Sequence, residues 1–130
     1  MMTKTKFSLE FDMQGVSSQL LWQYIAMPRQ LELWFADEVT QVGKAFTFAW
    51  DDTRQEAALL SVQTESYVRF HWKEDGKERT FFEMRILVSE FSGRKALLVT
   101  DFADSPDDVD EMSKFWNQVV ARLQRKLGCA

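Results

Sequence analysis

The segment 105–128 contains the longest amphipathic helix pattern in the chain. Ser105 and Pro106 have the chemistry of a helix start, with serine as the capping residue and proline at the first helical position. Apolar residues then recur at intervals of three and four, and the pattern ends at Gly128, a residue type typical of helix C-termini. These residues are Val109, Met112, Trp116, Val119, Val120, Leu123 and Leu127. Such a helix is stable only when another element covers its apolar face, so the rest of the chain has to provide the cover.

The middle of the chain, residues 38–103, has the pattern of six strands separated by turns. Polar and apolar residues alternate there with a period of two. Gly43 separates the first two strands, and Ser92-Gly93 separates the last two. Asp75-Gly76 predicts a tight hairpin turn, followed by a strand over about 78–89. Short connections imply that neighbouring strands are antiparallel.

The N-terminal part predicts one further strand and two short helices. Residues 5–11 alternate, and Gly15 ends this strand. Ser17 or Ser18 can cap a first short helix by accepting a hydrogen bond from a backbone N–H. Pro28 ends that helix and suits the first turn of a second one.

The order of these elements predicts an α+β fold. A curved antiparallel sheet of about seven strands would wrap around the long C-terminal helix, with the two short helices after the first strand. The length of 130 residues fits a single domain over residues 1–130.

Composition excludes several classes of function. The 16 basic and 20 acidic residues give a net charge of −4, so a nucleic-acid partner is not expected. One cysteine, Cys129, and one histidine are too few for a disulfide or a zinc site, and the acidic run 101–111 lacks the spacing of a calcium-binding loop. No metal or other cofactor is therefore predicted. The sequence has no apolar run long enough to span a membrane and no signal peptide, so a cytoplasmic location is expected.

Several loose motifs together resemble one family. They are residues 21–35 (LWQYIAMPRQLELWF), 42–48 (VGKAFTF), 68–72 (VRFHW), 97–102 (LLVTDF) and 115–116 (FW). On these the chain resembles the START-like superfamily, whose helix-grip fold is shared by the major birch pollen allergen and lipid-transfer domains. Within it, the chain is similar to the branch homologous to the activator of the heat-shock-protein ATPase. The resemblance covers nearly the whole chain and implies no shared chemistry, because one fold hosts many functions.

The resemblance implies a cavity between the C-terminal helix and the sheet, often used for hydrophobic ligands. We expect walls from inward strand residues and the helix, with two tryptophans near the mouth. The predicted residues are Phe46, Phe48, Trp50, Leu60, Val62, Phe70, Trp72, Phe82, Met84 and Ile86 in the sheet, Met112, Trp116 and Val120 in the helix, and Trp22 and Trp34 near the mouth. The 11 Phe, 5 Trp and 2 Tyr either line this cavity or fill a compact core.

Three classes of function stay open. The first is a module that binds a small, largely apolar ligand such as a lipid in this cavity, without catalysis. The second is a protein-interaction or cochaperone-like domain with no ligand, in which Phe and Trp fill the space. The third is a cyclase- or hydrolase-like enzyme, for which the sequence offers no Gly-rich phosphate loop, no Gly-x-Ser-x-Gly elbow and no Cys/His pair. Neither the ligand nor the oligomeric state follows from the sequence.

Four polar residues are candidates for chemistry. His71 shares a strand face with Tyr67 and Arg69, opposite the apolar face, so it is expected to point to solvent. Glu83 and Arg85 either lie in the cavity or form an exposed cross-strand charge ladder. Asp101 is either a polar group of the cavity or part of a frayed strand end.

Overall fold

The computed structural model describes residues 4–129, and over that range the chain forms seven strands and three α-helices. The strands are β1 (Thr5–Asp12), β2 (Glu38–Val42), β3 (Ala45–Trp50), β4 (Thr53–Gln63), β5 (Tyr67–Trp72), β6 (Phe82–Val88) and β7 (Lys95–Ala103). The helices are α1 (Ser18–Ala26), α2 (Pro28–Leu31) and α3 (Val109–Leu127).

The strands form one antiparallel sheet in the order β1-β7-β6-β5-β4-β3-β2. β1 pairs with β7 along its whole length, from Thr5 opposite Ala103 to Asp12 opposite Ala96. Because α1 and α2 connect the two edge strands β1 and β2, the chain crosses the sheet between them. The predicted curved sheet around a long C-terminal helix, with two short helices after the first strand, is confirmed.

The predicted local chemistry is found at the starts of α1 and α2 and at the end of α3, but the predicted Ser105 cap of α3 is wrong, since the Ser105 hydroxyl donates to the Asp108 side chain at 3.1 Å instead of accepting a backbone N–H. Ser17 caps α1, since its Oγ accepts a hydrogen bond from the N–H of Leu20 at 3.1 Å. Pro28 occupies the first position of α2. A 3₁₀ turn over Pro106–Asp108 precedes α3, which ends where Gly128 adopts the left-handed conformation with φ of 78°.

The core lies between α3 and the concave face of the sheet. From α3 it takes Trp116, Val119, Val120 and Leu123, all buried. Alternate residues of β6 and β7 face them, and Glu83 and Thr100 on the opposite face of these strands are buried as well.

The predicted register of β4 is wrong before a bulge at Leu60. The sequence predicts Leu60 and Val62 on the inward face, but before the bulge Ala57 is the buried residue, and it lies opposite Phe46 and Trp72. A bulge between Leu59 and Ser61 then shifts the pairing, and Leu60 is 56% exposed. After the bulge Val62 pairs with the buried Val68, so it lies on the predicted inward face, but it is 49% exposed near the end of the strand.

The predicted tight hairpin at Asp75-Gly76 is also wrong. β5 ends at Trp72 and β6 begins only at Phe82, so a longer loop containing a 3₁₀ turn over Lys73–Asp75 joins them. Hydrogen bonds from the His71 ring hold this loop, where a hairpin would have a strand ladder. Gly76 has a positive φ of 59° within the loop.

Candidate functional site

Stacked aromatic rings occupy the space beneath α3. Phe35, which follows α2, lies between the helix and the sheet. Its ring stacks on Trp116 of α3 with centroids 5.4 Å apart and on Phe82 of β6 at 5.7 Å. Phe48 packs edge-on against Phe35 at 5.2 Å, and Phe70 stacks on Phe82 at 5.0 Å. These rings form a continuous packed layer in the region where a cavity was predicted.

The predicted cavity residues fall into three groups. Ten are buried, namely Trp22, Trp34, Phe46, Phe48, Phe70, Phe82, Met84, Ile86, Trp116 and Val120. Trp50, Trp72 and Met112 are half-buried, and Leu60 and Val62 are exposed. Sequence reasoning did not include Phe35 among them, although this ring links the two layers. Contact between any of these residues and a ligand stays a prediction.

Trp34 and Trp50 serve as links within the core. Trp34 Nε1 donates a hydrogen bond to the carbonyl oxygen of Tyr24 at 2.8 Å, and Trp50 Nε1 donates to that of Phe35 at 2.7 Å. The Trp34 bond holds the α1–α2 segment together, and the Trp50 bond fastens the residue after α2 to β3.

Asp101 is a buried carboxyl on the concave face. It follows Leu97 and Val99 on the inward side of β7 and is 7% exposed. Trp116 Nε1 donates a hydrogen bond to Oδ2 at 2.9 Å, and the N–H of Phe102 donates to Oδ1 at 2.7 Å. Burial raises the pKa of Asp101 to about 6, because desolvation outweighs these two hydrogen bonds, which lower it.

Asp101 lines a cleft of about 420 Å³ at the N-terminal end of α3. The cleft is bounded by β7, by the start of α3, by the end of β5 and by the β5–β6 loop. Its lining consists of Lys4, Gln55, Trp72, Glu74, Asp75, Thr80, Phe81, Asp101, Phe102, Asp104, Asp108, Glu111 and Met112. It therefore combines acidic groups with the apolar surfaces of Trp72, Phe81 and Met112.

A hydrogen-bond network fixes the wall of the cleft formed by the β5–β6 loop. Lys4 Nζ contacts Asp75 Oδ1 at 2.8 Å and Asp104 Oδ1 at 3.4 Å. The hydroxyl of Thr80 donates to the other oxygen of Asp75. The network joins the N-terminal end of the described chain to the loop, so residues far apart in sequence define this wall.

His71 supports the same loop from the outer face of the sheet. Nδ1 lies 2.7 Å from the carbonyl oxygen of Thr80, and Nε2 lies 2.8 Å from that of Gly76. Carbonyl oxygens only accept, so both bonds form together when both ring nitrogens carry a proton. The bond to Thr80 first, and that to Gly76, raise the pKa of His71 above its usual value. The expectation that His71 faces away from the helix agrees with this position.

Glu83 and Arg85 of β6 form a charge ladder with Arg69 of β5 on the outer face of the sheet. Glu83 lies opposite Arg69, and its Oε1 accepts hydrogen bonds from Arg69 Nε at 2.9 Å and Nη2 at 2.7 Å. Arg85 Nε donates to Oε2 at 3.1 Å. Glu83 is buried under these side chains, but on the face opposite α3. Of the four polar residues that the sequence singled out, only Asp101 lines the cleft.

No described helix is long and apolar enough to cross a membrane. No three His, Cys, Asp or Glu side chains within residues 4–129 come together in a way that could hold a metal ion.

The helix-grip architecture, with a long helix packed on a curved antiparallel sheet, defines the class of this protein. The sequence profile of the START-like superfamily domain matches residues 1–129. The chain therefore belongs to the START-like superfamily, as the sequence motifs indicated.

Two similar solved structures match this chain over nearly the whole length of both proteins. BfR322 of Bacteroides fragilis is 35% identical, with 96% of this chain and 92% of that chain covered and a TM-score of 0.67. The Aha1 dimer of Colwellia psychrerythraea is 12% identical over 97% of this chain and 96% of that chain, with a TM-score of 0.72.

A third similar structure is longer than this chain. DynU16, a protein in the dynemicin biosynthetic locus, is 15% identical with a TM-score of 0.77, and the match covers 97% of this chain but 48% of that chain. At 12% and 15% identity, the likeness to Aha1 and DynU16 concerns the fold alone. A comparison with curated proteins finds no match.

Proposed function

We propose that this START-like domain binds a small, partly apolar molecule, without turning it over, in the cleft at the N-terminal end of α3. The observation that carries the proposal is the position of Asp101, a buried carboxyl that lines the cleft beside Trp72 and Met112. Pockets that bind small molecules combine apolar walls with a few placed polar groups.

The packing of the interior favours the cleft over a deeper site. Phe48, Phe70 and Phe82 are at most 1% exposed and pack, stacked or edge-on, against one another or against Phe35. A ligand at that depth would have to displace packed rings, whose contacts are lost when they separate. Trp72 and Met112, by contrast, are half-buried and present free surface to the cleft.

The chemistry of the cleft supports binding more than turnover. A general acid or base has to reach the proton that it transfers. Each oxygen of Asp101 already accepts an N–H, from Trp116 or from Phe102, and the imidazole of His71 lies on the other side of the sheet.

Methionine methyl signals distinguish the cleft from the interior. The protein, labelled with ¹³C at the methionine methyl groups, is titrated with a mixture of small metabolites and fatty acids. We expect a binder to shift the signal of Met112, which lines the cleft, and to leave that of Met84, which is fully buried beneath α3, nearly unchanged. A compound that shifts mainly Met84 would place the site in the interior and contradict the proposal.

A filling variant tests the same point. Met112→Trp should abolish binding by occupying the cleft. Leu33→Trp, at a site that is 46% exposed and outside the cleft lining, serves as the matched control and should bind normally. Equal binding by both variants would exclude the cleft.

A second candidate function is an enzyme that uses Asp101 as a general base. The raised pKa of about 6 in a cleft favours it, because catalytic groups commonly have a pKa near the working pH. Mass analysis of the compounds recovered from the titration decides between the two. A chemically altered compound that disappears in Asp101→Asn would establish the enzyme and reject binding without turnover.

A further inference from the structure

We propose that the ligand of the cleft is an organic cation, with the Asp101 carboxylate as its counter-ion and the Trp72 and Met112 side chains as its apolar contacts. This inference rests on the proposed function and adds the chemical class of the ligand.

The first argument is that Asp101 forms no ion pair in the described chain, although the charge of Lys4 acts on it from the same cleft. Its two hydrogen bonds come from the indole of Trp116 and the backbone of Phe102, which are neutral donors. The ion pairs formed by residues 4–129 do not include it. A buried carboxylate is unfavourable without an opposite charge, so a cation entering the cleft would stabilise it.

The second argument is the charge of the surrounding walls. Lys4 is the basic residue of the cleft lining, and it already contacts Asp75 and Asp104. Glu74 and Glu111 add negative charge to the same lining. The field within the cleft is therefore negative, which attracts a cation and repels the carboxylate of a fatty acid.

The third argument is the apolar part of the walls. Trp72 and Met112 lie in the same lining as Asp101, whereas the ring of Phe81, also in the lining, already faces the Arg69 guanidinium at 4.1 Å. Aromatic faces attract organic cations, and their apolar area packs against the carbon skeleton of such a ligand. A fully hydrated inorganic cation would use only the carboxylates, whereas an organic cation uses both kinds of wall.

Three probes of similar shape but different charge show whether the charge of a ligand determines how tightly it binds. They are 2-phenylethylammonium, which is a cation at neutral pH, 2-phenylethanol, which is neutral, and phenylacetate, which is an anion. Binding at pH 7.5 is followed by the methyl signal of Met112 and the indole N–H signal of Trp116. An ion pair of this kind in a partly buried site should make the ammonium bind about tenfold more tightly than the alcohol, and phenylacetate should bind most weakly.

Variants and a change of pH test whether Asp101 causes the tighter binding of the ammonium relative to the alcohol. In Asp101→Asn the ammonium should lose its advantage over the alcohol, whereas Glu90→Gln, an exposed acid outside the cleft, should keep it. In the unmodified protein the advantage should shrink at pH 5, because the Asp101 carboxyl is then mostly protonated while ordinary carboxylates are still ionised. This measurement needs no variant and so does not depend on the folding of one.

The outcomes separate the two proposals. Equal binding of the ammonium and the alcohol at Met112 would overturn the cation inference and leave the proposed function intact. A preference for ammonium that survives both Asp101→Asn and pH 5 would also overturn it, since another group would then be the counter-ion. Ammonium binding that Ca²⁺ displaces completely at equal concentration would identify an inorganic cation site instead. If none of the three probes, nor any compound of the mixture, shifts Met112, the proposed function itself fails.

Discussion

Replacing Asp101 by asparagine should make the protein less sensitive to pH. The carboxyl is 7% exposed, and burial raises its pKa from 3.8 to about 6. A group whose pKa is higher in the folded than in the unfolded protein contributes stability that is complete below the unfolded value. That contribution is lost as the pH rises through the folded value. For Asp101 the loss therefore occurs between about pH 4 and pH 7.

The magnitude follows from the size of the shift. A difference of about 2 pKa units corresponds to about 3 kcal/mol over the full titration, of which about 2 kcal/mol falls between pH 4 and pH 7.5. Asparagine has no such titration, and the hydrogen bond that it loses to Trp116 or Phe102 gives an offset that does not depend on pH. The stability of Asp101→Asn relative to the unmodified protein should thus rise by about 2 kcal/mol across this range.

Urea denaturation at half-unit pH intervals, followed by tryptophan fluorescence, measures this difference. The pKa of His71 is also raised, but His71 is present in both proteins and its effect cancels in the comparison. Glu90→Gln is the control and should run parallel to the unmodified protein. A difference between Asp101→Asn and the unmodified protein that is flat to within about 0.5 kcal/mol would refute the burial argument for Asp101.

Two further predictions concern the sheet. The NMR signal of the single histidine should titrate above its ordinary pKa, because two carbonyl oxygens favour the imidazolium. The stability that protonated His71 provides should be lost as the pH rises through that raised pKa. The variant His71→Gln should not show this loss. Leu60→Ser should change the free energy of unfolding by less than about 0.5 kcal/mol, whereas Phe70→Ala should lower it by about 3–5 kcal/mol, since Leu60 is 56% exposed and Phe70 is fully buried. Equal losses in urea melts would restore the inward register for Leu60.

The elements of the fold could be predicted because their signals are periodic and local. The spacing of three and four along α3 and the alternation in β3, β5, β6 and β7 each identify one buried face. The register of β4 was predicted wrongly because residues 57–60 are Ala-Ala-Leu-Leu, which places an apolar residue on the inward face in either register. The bulge at Leu60 depends on pairing with β5, and nothing local in the sequence marks it.

The cleft could be predicted only in part. Asp101 did carry a signal, since it continues the inward series of Leu97 and Val99 and is the one acid on that face of β7. The wall opposite it depends on the pairing of Lys4 with Asp75, which are 71 positions apart. Contacts of that range arise from the packed fold, and no spacing within the sequence indicates them.

The location of the proposed site depends on which side chains fill the space between α3 and the sheet. A helix packed on a curved sheet leaves space between the two layers, and the size of the side chains decides how much of it stays open. Here Phe35 enters that space from the segment after α2 and stacks on both Trp116 and Phe82. The aromatic layer ends where Trp116 donates its indole N–H to Asp101, so this hydrogen bond is the boundary between the packed core and the cleft. Trp116 thus has two roles, because the ring that closes the interior also holds the carboxyl on which binding is proposed to depend.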